Sequence, residues 1–213
     1  MFRNLFNPDS ALMITMSRIT DCIFLSLFWL MACIPVITIG ASFAALYDAS
    51  FRAFRKNERN AWQRFFGVFR SNWKAGIVPS VLFLAVVAGL MKGAITLWNL
   101  AVAGTLSWML FAAGAFVAVI LLGMLSVLFP MLSRFENSLG ALLKNTVFLS
   151  LANMPRTLIL GLINAAALLL CAKLVIPIFF LPSLAALFGS YAIEPMFKPF
   201  MPSEEAEEKL PET

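Results

Sequence analysis

From Cys22 to Tyr47, 26 consecutive residues carry no charge, and an aspartate closes the run at each end. About 20 predominantly apolar residues cross the hydrocarbon core of a bilayer, so this stretch can span with length left for tilt or a bend. The pattern recurs. A second uncharged run opens at Ala75 and is interrupted only by Lys92. From Gly93 to Phe135 only Arg134 is charged, a third run covers Thr157 to Ala172, and a fourth continues after Lys173 to Ile193. The chain is 61% hydrophobic and 13% charged, against roughly 25% charged in soluble domains. Its mean hydropathy is +0.89, and Phe occurs 21 times against 2 for Tyr. So much apolar surface must face something other than water.

These runs predict an all-α, polytopic membrane helix bundle with five spans, at 22–47, 75–98, 105–131, 157–175 and 177–194. The long second stretch divides near Asn99–Thr105, where Gly104 permits a tight turn. Residues 1–200 then form one transmembrane domain, and 201–213 an acidic tail that is solvated and disordered. Arg52, Arg55, Lys56, Arg59, Arg64, Arg70 and Lys74 crowd between the first two spans, opposed only by Asp48 and Glu58. By the positive-inside rule, 48–74, 134–156 and the C-terminus are cytoplasmic and the N-terminus lies outside. The lipid bilayer is the first partner this implies, and nucleic acid is not expected as another. "ASFAA" has the look of a cleavage site. The apolar run before it, however, exceeds a signal peptide's 7–15 residues, so an uncleaved span is expected.

The stretch "CIPVITIGASFAALYD" reads as a kink within the first span. Pro35 frees the carbonyl of Met31, and Thr38 and Ser42 are placed to satisfy it. Gly40, Ala44 and Asp48 follow at spacing four, a thin face leading to a carboxylate at the cytoplasmic edge. Arg18 and Asp21 stand at i, i+3, the spacing of a local ion pair. Small residues also recur at spacing four in Ala85, Gly89 and Gly93, in Gly161 and Ala165, and in Ala185 and Gly189, which suits close helix packing.

Two cytoplasmic helices are expected in the headgroup plane. Trp62, Phe65, Phe66, Phe69 and Trp73 form one aromatic stripe ringed by basic residues, a candidate docking face. Phe135, Leu139, Leu142, Leu143 and Val147 form the second. At an offset of 81, Asn72 matches Asn153 and Lys92 matches Lys173, which suggests a parallel internal repeat. The two lysines read as snorkelling to the outer headgroups. The alternative has them lining a cavity together with Asn164.

The chain has no histidine and no phosphate-binding Gly-rich loop. Cys22, Cys33 and Cys171 lack metal-ligand spacing. No serine has a partner for nucleophilic catalysis. An enzyme is therefore not expected, nor a cofactor or metal.

Asn7-Pro8-Asp9-Ser10, the Arg18 and Asp21 pair, "IPVITIGAS" followed by "ALYDA", and the later "FFGVFRSNWKAG" resemble the YesL family, bacterial membrane proteins defined by a domain of unknown function. The resemblance covers most of the chain before the acidic tail. It implies a place in the bacterial cell membrane and an association with carbohydrate uptake by ABC-type transporters, whose subunits would be partners. It assigns no catalytic or binding residue. The cytoplasmic coupling loop of an importer permease is not visible in 48–74 or 134–156. The function expected is that of a non-catalytic accessory or assembly component, with a small autonomous transporter or channel as the alternative.

Overall fold

The computed structural model describes residues 11–58, 60–104, 108–135, 138–174 and 176–200, with side chains from Met16 onward. Among these the chain is helical, with no strand. Eight α-helices are described: α1 (Ala11–Ala32), α2 (Ile39–Arg55), α3 (Ala61–Asn72), α4 (Ile77–Val102), α5 (Trp108–Arg134), α6 (Leu139–Ala152), α7 (Met154–Lys173) and α8 (Leu181–Phe197). The Asn7–Ser10 motif and the acidic tail lie outside the described residues.

The single kinked span expected at 22–47 is two helices. A proline disfavours helical backbone in the residue before it, and α1 ends at Ala32, three residues short of Pro35, whose own backbone is extended. The Met31 carbonyl is not orphaned, because Ile34 N–H donates to it. The carbonyl that needs a partner is that of Ala32, which accepts from Thr38 Oγ1 at 2.6 Å and Ser42 Oγ at 3.0 Å. The hydroxyls act as expected, one residue along. The chain then doubles back. Trp29 meets Phe43, and at the far end Arg18 Nη2 donates to Asn57 Oδ1 at 3.1 Å. α1 and α2 thus form an antiparallel hairpin, and the start of α1 lies on the same side of the bundle as the end of α2. The expectation that this segment crosses once, separating Arg18 from residue 57, is overturned by that turn.

α2 is the centre of the fold. It packs against α1, α3, α4, α5 and α8, and 12 of its 17 residues are buried. Ala41, Ala44, Ala45, Ala49 and Ala53 give it a surface that several helices can approach at once. One apolar cluster joins α2 to Leu25 of α1 and to Phe65 and Val68 of α3. Another joins it to Val127, Leu128 and Met131 of α5, Leu142 of α6, and Ile193 and Phe197 of α8.

The two surface helices of the sequence reading exist but pack differently. α3 runs antiparallel along α2, with Arg64 beside Asp48 and Gly76 against Ala41. Its buried face is Ala61, Phe65 and Val68. Phe65 is fully buried and meets Phe28, Phe69 is half-buried, and Trp62, Phe66 and Trp73 are exposed. The aromatic stripe is therefore shared between the core and the outside. In α6 the buried stripe is Leu142, Thr146 and Leu149, while Leu139, Leu143 and Val147 face out. The expected stripe is thus shared between the bundle, through Leu142, and the outside.

α4, α5 and α7 are long and apolar enough to cross a membrane, and only 6% of the most apolar window of α4 is buried. α8 is shorter, at 17 residues. Of the three long helices, α4 and α7 lie at the periphery and α5 packs inward against the charged α2, which puts apolar helices outermost, an arrangement suited to an apolar solvent. α5 and α7 pack antiparallel through two reciprocal glycine contacts. A side chain at Gly123 would overlap the Thr157 carbonyl, and one at Gly161 the Val119 carbonyl. Gly40 is similarly pressed against Gly76 O and Ser80. Gly89 and Gly93, by contrast, meet nothing, so only part of the spacing-four pattern marks packing.

The junctions between α3 and α4 and between α6 and α7 are built alike. Asn72 Nδ2 donates to Val68 O at 3.0 Å and Asn153 Nδ2 to Leu149 O at 3.2 Å, each closing the end of the shorter helix. Just beyond, Ser80 Oγ donates to Gly76 O and Thr157 Oγ1 to Asn153 O. A glycine of another helix, Gly40 or Gly123, rests on each of these hydroxyl residues.

Candidate functional site: a charged cluster beside an apolar cavity

Asp48 has no exposure at all. An isolated carboxylate could not stay ionised in such a place, and three guanidinium groups surround it. Arg52, one turn along α2, brings Nε to 3.3 Å. Arg64 of α3 donates from Nε to Oδ2. Arg134, the last residue of α5, places Nε 3.5 Å from Oδ1. Arg134 also donates from Nη2 to Glu194 Oε1 at 3.0 Å, and the Tyr47 hydroxyl donates to the same oxygen at 3.0 Å. Arg52 reaches Glu58 at 3.1 Å.

Arg55 takes no acid in this set. It donates to Ser190 O and lies over the rings of Tyr191 and Phe51, and Arg134 lies over Phe51 as well. Four arginines against Asp48, Glu58 and Glu194 leave one positive charge in excess. Arginine keeps its proton under all ordinary conditions. What this arrangement does is hold α2, α3, α5 and α8 in one register.

Beside the cluster lies a cavity of about 280 Å³, walled by residues of α1, α2, α4, α5, α7 and α8. Trp29, Phe43, Phe83 and Phe129 contribute much of the wall, and no charged residue lines it. Its polar groups include Tyr47, Ser126 and Asn164. Asn164 Nδ2 donates to Ser126 Oγ and Leu160 O, both at 2.9 Å, which ties α7 to α5.

The predicted site residues are therefore dispersed. Pro35, Thr38, Gly40 and Ser42 build the turn into α2, and Asp48 is the centre of the charged cluster rather than a carboxylate at an edge. Arg18 pairs with Asn57, and no described ion pair joins it to Asp21. Of the three candidate cavity residues, Asn164 lines the cavity and the two lysines do not. Lys92 and Lys173 are exposed, and α4 continues ten residues past Lys92, so this lysine is not near the helix end.

Arg134, Glu194 and Tyr47 were missed as partners, although one signal was present. Glu194 is the only acid between Glu136 and Glu204, in a stretch where an unpaired carboxylate is costly.

A family model described as "Protein of unknown function, DUF624" matches residues 22–93, from within α1 to the middle of α4. That segment contains Asp48, Arg52 and Arg64 but neither Arg134 nor Glu194. No curated protein and no solved structure matches the chain.

Proposed function

We propose that this chain is a non-catalytic integral membrane protein of the bacterial cell membrane, an accessory or assembly component of another membrane complex. The partner that the sequence resemblance implies is a carbohydrate uptake system of the ABC type. The observation that carries this reading is where the charges go. The arginines and acids of the interior are bound to one another, and the cavity wall has no ionised group. A transport path for a sugar or an ion needs a succession of polar groups to replace water, and Lys92 and Lys173 stand apart from the cavity. The exposed Trp62 and Phe66 of α3 and Trp73 just after it, with Arg70 and Lys74 beside them, supply a surface suited to docking.

In this reading the basic segments face the cytoplasm, and the α1–α2 hairpin brings Arg18 to that side too. The like roles of Asn72 and Asn153, which match at the offset of 81, support a parallel repeat. The test is affinity purification of the full chain from mild detergent. Sugar-transporter subunits should be recovered with it, and Trp62→Ala with Trp73→Ala should reduce that recovery without unfolding the chain. Recovery of no transporter subunit counts against the reading. Sugar flux in vesicles holding this chain alone, abolished by Lys92→Met with Lys173→Met, would favour the autonomous transporter.

A further inference from the structure

We infer that the cavity is a binding site for a neutral, largely hydrocarbon molecule bearing one hydrogen-bond donor, a long-chain alcohol of the lipid class. Four observations select this chemistry. The cavity, at about 280 Å³, is nearly twice a 150 Å³ apolar cavity that takes up benzene. Its wall is almost wholly apolar, so water gains little by filling it. No Asp, Glu, Lys or Arg lines it, which disfavours an ionised headgroup, and a carbohydrate would leave most of its hydroxyls unpaired there.

The remaining observation is a free acceptor, in a wall where the Nε1 donor of Trp29 is also buried without a partner. Both hydrogen bonds of the Asn164 side chain are donated by Nδ2, one of them to a backbone carbonyl. A carbonyl only accepts, which fixes the amide's orientation. Oδ1 accepts no hydrogen bond from any described residue, and it belongs to a side chain of the cavity wall. A single hydroxyl donated to Oδ1, with its chain among Phe43, Phe83, Leu125 and Ile193, satisfies the polar group and fills the space together. Phe83 and Val87 of α4 and Ala167 and Leu168 of α7 form part of the wall, and both helices are apolar and largely exposed, so bilayer lipids against them would be the source of such a molecule. The inference is independent of any sugar-uptake partner.

The test uses the full chain in phosphatidylcholine–phosphatidylglycerol vesicles with a hexadecanol carrying a photoactivatable diazirine in its chain. Adducts should map to cavity residues such as Leu125, Ala186 and Ile193, and unlabelled hexadecanol should compete them away. Asn164→Leu, which keeps the volume and removes the acceptor, should lower cavity labelling roughly tenfold. Ala186→Phe, which fills the space from the α8 side, should abolish it. If Asn164→Leu does not fold, Ala186→Phe and the competition experiment still decide. Adducts confined to outward residues such as Met91 and Ile95, unchanged by Ala186→Phe, would overturn the inference. So would equal competition by palmitate or maltose, or undiminished labelling in folded Asn164→Leu.

Discussion

Replacing Asp48 by Asn keeps the side chain's shape and removes the charge that three arginines share. The three do not lose equally. Arg64 makes the shortest contact, but its side chain is 40% exposed, and Arg52 is 28% exposed. Water can resolvate both, so each of those pairs is worth about 1 kcal/mol or less. Arg134 is 14% exposed, and its Nε has no hydrogen bond beyond the ion pair with Asp48. With Asp48 neutralised Arg134 still pairs with Glu194, but its Nε loses its counter-charge where water hardly reaches, which costs about 3 kcal/mol, the lower end of what breaking a buried pair costs. The whole substitution should therefore destabilise by about 3–5 kcal/mol, and on soluble-protein scaling lower the midpoint by about 10 °C.

Thermal unfolding in one detergent, followed by tryptophan fluorescence or by a thiol-reactive fluorogenic dye on the free cysteines, measures this. The ordering is the sharper test: Arg134→Gln should cost more than Arg64→Gln, although Arg64 stands closer. Asp48→Asn combined with Arg134→Met should cost less than the sum of the two single changes, because the Asp48–Arg134 pair is then removed from both sides. An Asp48→Asn protein within 1 kcal/mol of the native chain, or a reversed ordering, would refute burial as the deciding factor.

Other expectations concern geometry. Gly161→Ala should markedly lower the unfolding midpoint because its new carbon meets the Val119 backbone, whereas Gly93→Ala should be neutral or slightly stabilising; the same thermal scan compares them. Single cysteines at positions 18 and 57, in a chain freed of its native cysteines, should respond alike to a membrane-impermeant maleimide in intact cells. Opposite responses would disprove the α1–α2 hairpin. Ser42→Ala should cost about 1 kcal/mol or less, because Thr38 still serves the Ala32 carbonyl. Thr38→Val with Ser42→Ala should cost more than the sum of the single changes, as the carbonyl loses its last donor.

The long apolar runs were legible because their length and lack of charge admit few alternatives, and α4, α5 and α7 lie within a few residues of their expected bounds. The break at 33–38 was legible as an irregularity but not as a reversal. Pro35 dictates that the helix stops; whether the chain bends or turns back depends on the contacts of Trp29 with Phe43 and of Arg18 with Asn57, which no local pattern encodes. The α3 stripe has a similar cause, since a helix with aromatics over a wide arc can bury one edge of them and expose the other. The charged cluster was hidden because its members come from four helices. Positive-inside counting treats Arg52 and Arg64 as loop charges, and nothing local tells an arginine that faces water from one that faces Asp48.

α2 also constrains how the protein can be made. If the chain is the membrane protein proposed above, a helix carrying Asp48, Arg52 and Arg55 would enter hydrocarbon poorly alone, and its insertion would depend on α1 going in with it as a pair. Even then its charges are incompletely matched during synthesis. Arg64 emerges soon after, Arg134 much later, and Glu194 only when α8 has left the ribosome. The cluster is thus a completion check written along the chain. A chain released before Glu194 holds Arg134 without its nearest acid, and such a product should be degraded in the cell faster than the full chain, a difference that pulse-chase labelling would register.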